Sequence, residues 1–137
     1  MAADDCIFCK ILAGELPADV VAETELAFAF ADINPATRGH TLVIPRAHAA
    51  DIHDIWPADL TACALLAKDV AGYARERLGA AGVNVLHSAG SAAWQVVFHF
   101  HIHVIPRYSG DPLVLPWVPA PGDGDEIAAA AAALSAD

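Results

Sequence analysis

Apolar and polar positions recur along the chain with two periods, and each period predicts an element. Cys6, Ile7, Phe8, Cys9, Lys10, Ile11 and Leu12 set apolar side chains three and four apart ahead of Gly14 and Pro17, which predicts a short helix ending there. Residues 20–22 and 26–32 read as strands, the second showing Leu26, Phe28 and Phe30 on one face. Asn34-Pro35 and Arg38-Gly39 mark a turn, and residues 40–45 form another β-rich run closed by Pro45. Connections of hairpin length without a helical crossover predict an antiparallel meander. From Pro57, the residues Leu60, Ala64, Leu66, Ala67, Val70, Ala71 and Leu78 draw the apolar stripe of the main helix, with Gly79 as its stop. Residues 83–86 read as a short strand and residues 96–105 as a longer one ended by Pro106. Alternation in that last strand puts His99, His101 and His103 on one face and turns Phe100, Ile102 and Val104 toward a core. Beyond Tyr108, residues 110–124 are rich in proline and glycine, and the alanine-rich residues 125–136 have high helix propensity.

Composition narrows the class. A chain of 137 residues with 56% hydrophobic content suits one compact domain, read as 1–137. The net charge of −10 argues against broad nucleic-acid or anionic-membrane surfaces, though a small anionic ligand needs only a local site. No apolar run approaches the roughly 20 residues that span a bilayer. The opening Met1-Ala2-Ala3-Asp4-Asp5 lacks the basic and apolar regions of a signal peptide. Three cysteines do not make a secreted disulfide framework and suit a reducing compartment, so the expected location is cytoplasmic.

The candidate chemistry lies in the histidines. Three imidazoles on one strand face admit a structural reading, a metal site or a histidine nucleophile acting on phosphorus. Chance explains one such residue well and three poorly. The Cys6-x-x-Cys9 pair is compatible with a zinc half-site, a redox pair or two buried small residues. A zinc site needs two further ligands, for which His48 and a histidine of the triad are the leading candidates.

Together these segments resemble the histidine triad (HIT) family of nucleotide hydrolases and transferases. The resemblance is carried by His99-Phe100-His101-Ile102-His103-Val104-Ile105 after Gln95, by residues 6–11 with Gly14-Glu15-Leu16-Pro17, by residues 30–35, and by residues 39–48, covering about 6–117. It implies an α+β fold, a five-stranded antiparallel sheet with a short N-terminal helix and one long helix, paired as a homodimer. It also implies attack by His101 on the α-phosphorus of a purine nucleotide derivative, a covalent nucleotidyl-histidine intermediate, and release by water. His103, His40 and Gln95 would serve that chemistry, His103 and Gln95 at the phosphate and His40 by positioning His103. Asp32 would bind the ribose hydroxyls beside Ile33 and Asn34, Ile7, Phe8, Ile11, Phe30 and Ile33 would hold the base, and Ser88 would lie near the phosphate.

In many prokaryotic relatives the matching positions, here Cys6, Cys9, His48 and His99, bind a structural zinc; catalysis itself would need no metal. The implied reaction is hydrolysis of nucleoside phosphoramidates or related nucleoside 5′-phosphate derivatives. Dinucleoside polyphosphate hydrolysis or phosphorolysis, or nucleotide binding with little turnover, are the alternatives. Three positions depart from the family pattern. Val96 replaces a serine or threonine, Ser88 an asparagine, and Trp94 a small residue.

Overall fold

A computed structural model of the chain describes residues 3–136. Met1 and Ala2, in the stretch read for a signal peptide, and Asp137, at the end of the domain span, lie outside the described residues. The elements in order are helix α1 (Ile7–Leu12), strands β1 (Val20–Glu23), β2 (Ala27–Ala31) and β3 (Thr41–Pro45), helix α2 (Pro57–Leu78), strand β4 (Gly82–Leu86), a single 3₁₀ turn (Ser91–Ala93), strand β5 (Ile102–Arg107) and helix α3 (Gly124–Ser135). The five strands form one antiparallel sheet in the order β1-β2-β3-β5-β4. The expected α+β class and meander are present, and no described helix is long and apolar enough to cross a membrane.

The period-2 pattern of β2 and β3 explains the two layers on the sheet. Ala27, Ala29 and Val43 face α2, where they pack with Cys63, Leu66, Ala67 and Val70, and Phe100, Ile102 and Val104 complete that core. Small alanines at the inward positions of β2 leave room for the helix. On the opposite face Phe28, Phe30, Leu42 and Ile44 pack beneath α1, meeting Cys6, Phe8 and Cys9. Phe8 stands edge-on to Phe30 with ring centroids 5.4 Å apart. Helix α2 begins with Pro57 in its first turn and stops at Gly79 in the left-handed region (φ 69°), with Arg75 and Arg77 in its last turn against the dipole.

The histidine strand differs from its sequence reading at both ends. The alternation holds, since Phe100 and Val104 are buried against α2 while His99 and His101 are buried on the α1 face. The ladder itself, however, spans only Ile102–Arg107. Upstream, backbone groups are already taken by other partners. The Phe100 N–H donates to the Ala49 carbonyl (2.6 Å), and the His99 carbonyl accepts from a side chain. Downstream, Pro106 continues the strand. Its carbonyl accepts from the Thr37 hydroxyl (2.6 Å) on the side where the β3 pairing has ended at Thr41, so the missing proline N–H costs no ladder bond.

Candidate functional site

Backbone partners fix where the protons sit on the histidines, and this decides what each imidazole can do. His101 lies just upstream of β5, and its Nδ1 is 2.7 Å from the carbonyl oxygen of His99, to which it can only donate. Its Nε2 therefore keeps a bare lone pair. His40, beside the start of β3, accepts the Ala36 N–H at Nδ1 (2.9 Å), so its own proton is on Nε2. That Nε2–H donates to Nδ1 of His103 (2.9 Å), which leaves the His103 proton on Nε2. The pair thus presents a lone pair from His101 and an N–H from His103, with the rings 5.0 Å apart.

Burial keeps these rings neutral. It lowers the pKa of His103 to about 4, with repulsion from His101 and His40 adding to it. His101 and His40 are also lowered by burial, partly offset by the His99 carbonyl at His101 and by the Asp32 carboxylate at His40. Asp32 Oδ2 stands 3.5 Å from His40 Nε2, while Oδ1 accepts the Asn34 N–H at 2.8 Å. Asp32, His40 and His103 form a compact donor set, but the His40 Nε2–H already bridges two of its members.

An open cleft of about 620 Å³ faces the two imidazoles, within the range of roughly 300–1,000 Å³ usual for small-molecule sites. One side is built by Ile7, Phe8 and Ile11 of α1 with Phe30 of β2, and Asp32, Ile33 and Asn34 form part of the rim. The segment ahead of the histidines adds Trp94, Val96 and Val97. Nine residues given site roles from the sequence are brought together here, namely Ile7, Phe8, Ile11, Phe30, Asp32, Ile33, Asn34, His101 and His103.

Three others stand elsewhere. His40 is buried behind His103 and does not line the cleft. Gln95 is buried, its amide donating to the carbonyls of Ala50 (2.7 Å) and Val97 (3.0 Å) while its oxygen accepts the Gly90 N–H (2.7 Å). Both amide hydrogens are spent on the backbone, so in place of the expected donor to phosphate the structure has a brace across the loop. Ser88 sits in the loop after β4, outside the cleft lining.

Sequence reasoning missed a further brace. His87 accepts the Ile52 N–H at Nε2 (3.1 Å), donates from Nδ1 to the His101 carbonyl (3.0 Å), and stacks on Phe100 with centroids 4.4 Å apart. Its position in a polar turn carried no signal of this role. Leu16, Pro17 and Leu42, which the sequence offers only as motif positions, also line the cleft.

A second cluster lies beside the first. His99 donates from Nε2 to the Pro45 carbonyl (2.9 Å), which leaves Nδ1 bare. That nitrogen stands 3.3 Å from Cys6 Sγ, 3.5 Å from Cys9 Sγ and 3.2 Å from His48 Nδ1, and Cys9 Sγ is 3.4 Å from His48 Nδ1. A tetrahedral zinc with ordinary bond lengths separates two nitrogens by roughly 3.3 Å and a nitrogen from a sulfur by roughly 3.6 Å. The donor set fits that ion. Burial lowers the His99 pKa to about 4 and raises the Cys6 thiol, so the ring is neutral and a thiolate here needs a cation beside it. The N-terminus of α1 contributes too, because Cys6 caps it, its sulfur accepting the Cys9 N–H at 3.3 Å.

Comparison with known proteins points the same way. The HIT domain matches residues 13–110. A solved structure from Streptococcus mutans superposes with a TM-score of 0.91 at 32% identity, over 97% of this chain and 85% of that one. A zinc-bound histidine triad family protein of Mycobacterium smegmatis is 43% identical, with a TM-score of 0.78 over 85% of this chain and 84% of that one. An adenosine 5′-monophosphoramidase of Schizosaccharomyces pombe is 42% identical over 102 residues, 74% of each chain. Matched through its sheet, its long helix and all three histidines of the β5 segment, the chain belongs to the HIT domain family.

Proposed function

We propose that the protein hydrolyses nucleoside 5′-phosphate derivatives at the α-phosphorus, with purine nucleoside phosphoramidates as the preferred class. The observation that carries this reading is the pair of imidazole edges, a bare Nε2 on His101 beside an Nε2–H on His103. A phosphorus seated between them meets a nucleophile and a hydrogen-bond donor with no proton to move before attack. His101 Nε2 bonds to phosphorus, and the amine leaves with the electron pair of the P–N bond and takes up a proton. Water then bonds to phosphorus and His101 departs. The proton that water releases balances the one the amine took, and the product is the nucleoside monophosphate. While nucleotidylated, the His101 ring is positive, which the His99 carbonyl and the Asp32 carboxylate favour.

Ile7, Phe8, Ile11, Phe30 and Ile33 supply an apolar slot for the base, and the Asp32 carboxylate retains lone pairs for the ribose hydroxyls. We assign zinc to Cys6, Cys9, His48 and His99. Bound there, it would tie α1 to the sheet as a structural ion, leaving the reaction to imidazoles and backbone groups. The exposed edge strand β4, with Val83, Val85 and Leu86 in solvent, supports a homodimer, and cysteines held in no disulfide, Cys6 and Cys9 as zinc ligands and Cys63 as a buried thiol, suit a cytoplasmic setting. The test is steady-state turnover of adenosine 5′-phosphoramidate. His101→Ala is expected to lose on the order of 10³-fold or more with its melting temperature preserved. Turnover retained in that variant would remove His101 as nucleophile.

A further inference from the structure

Trp94 is the one residue other than glycine with a positive φ among the described residues, at φ 75° and ψ 20°. An L side chain in the left-handed region is strained, and a bulky aromatic there is uncommon. The conformation is held from both sides. The Ala93 and Gln95 N–H groups both donate to the Gly90 carbonyl, the Trp94 N–H donates to Ser91, and the Gln95 amide binds the loop to Ala50 and Val97. Core packing does not compensate for the strain, because 73% of Trp94 is exposed. The strained backbone instead displays an indole at the cleft that His101 and His103 line. Two residues on, Val96 is also turned outward in the same lining.

The charge of the cleft is a separate observation. Among the described residues its lining contains no lysine or arginine, and its one carboxylate is Asp32. A departing di- or triphosphate would carry several negative charges into a site without a cation to meet them. An amine bearing a flat apolar group meets the opposite case, since the indole face attracts both aromatic rings and ammonium groups.

We propose that Trp94, with Val96, forms a leaving-group subsite that selects phosphoramidates of arylalkylamines over unsubstituted phosphoramidates and over polyphosphate leaving groups. This rests on the hydrolase reading above and names its substrate class. The reaction is unchanged. The P–N bond breaks, the arylalkylamine leaves with the electron pair and gains a proton, and water supplies the oxygen of the monophosphate.

The experiment compares kcat/KM for adenosine 5′-(N-2-phenylethyl)phosphoramidate with that for adenosine 5′-phosphoramidate, in the parent and in Trp94→Ala, Trp94→Gly and Trp94→Phe. The ratio should favour the phenylethyl substrate in the parent, fall about tenfold in Trp94→Ala and Trp94→Gly, and be largely kept in Trp94→Phe. The glycine variant removes the backbone strain, so a fold defect in Trp94→Ala alone cannot imitate the result. A parent ratio near one, or a ratio that the alanine and glycine variants leave unmoved, overturns the subsite while the hydrolase reading stands. Faster turnover of diadenosine tetraphosphate than of the phenylethyl substrate overturns it as well. No turnover of any of these substrates by the parent overturns both.

Discussion

Each histidine of the site acts through a proton whose position another residue dictates. A bare nitrogen on His101 follows from one backbone carbonyl, and an N–H on His103 follows from a chain that runs back through His40 to the Ala36 amide. That arrangement makes a pH prediction with a definite sign. His103 has a folded-state pKa of about 4, below its ordinary value of 6.5. Between those values the unfolded chain holds the additional proton, so stability rises with pH across the window and is lost as pH falls from 6.5 toward 4. His103→Asn keeps an acceptor for His40 and lacks the titrating ring. Its melting temperature should fall less steeply than the parent's over that window. Parallel slopes would contradict the buried, neutral assignment of His103.

Residue identity was legible in the sequence further than residue role. Alternation was enough to bring His101 and His103 to one face. The orientation of Gln95 was not readable, because its amide is claimed by carbonyls of Ala50 and Val97, one of them 45 positions away. The same holds for His87, whose partners Ile52 and His101 come from separate segments. Trp94 was visible as an unusual residue before Gln95, but its left-handed backbone depends on the hydrogen bonds of the loop.

Helix α2 was readable from Pro57 to Gly79 because its stripe, its first-turn proline and its terminal glycine are all local signals. Strand β5 departs at both ends from the local sequence pattern because a ladder is a property of two strands. Its upstream neighbours were occupied, and its proline faced a side with no ladder to break.

Helix α1 depends on its surroundings in another way. Its six residues are too few to be stable alone, and it is fixed by Phe8 against Phe30 and by Cys6 and Cys9 beside His48 and His99. Purified protein should therefore contain one zinc per chain, and stripping it with a strong chelator should lower the melting temperature by several degrees. Cys9→Ser should lose the metal and most of that increment. A metal-free protein of equal stability would contradict the structural staple.

Across the whole molecule the sheet ends in two edge strands, β1 and β4, and β4 is the more open. All five residues of β4 are exposed, and an open edge with apolar side chains invites pairing with another chain. Light scattering should return about twice the chain mass of 14.3 kDa, and Val85→Lys should shift the protein toward the monomer. A monomeric parent at micromolar concentration would contradict the pairing. The net charge of −10 fits a cleft that, among the described residues, has no lysine or arginine in its lining, since a substrate of low negative charge is the one this molecule repels least.

A covalent bond between phosphorus and His101 Nε2 is detected by rapid-quench intact mass spectrometry during a single turnover of adenosine 5′-phosphoramidate, kept free of acid. A transient species heavier by one adenylyl group is expected, formed before AMP appears and absent from His101→Ala. AMP released at full rate by the parent with no adduct at any time point, or an adduct that persists in His101→Ala, would contradict it.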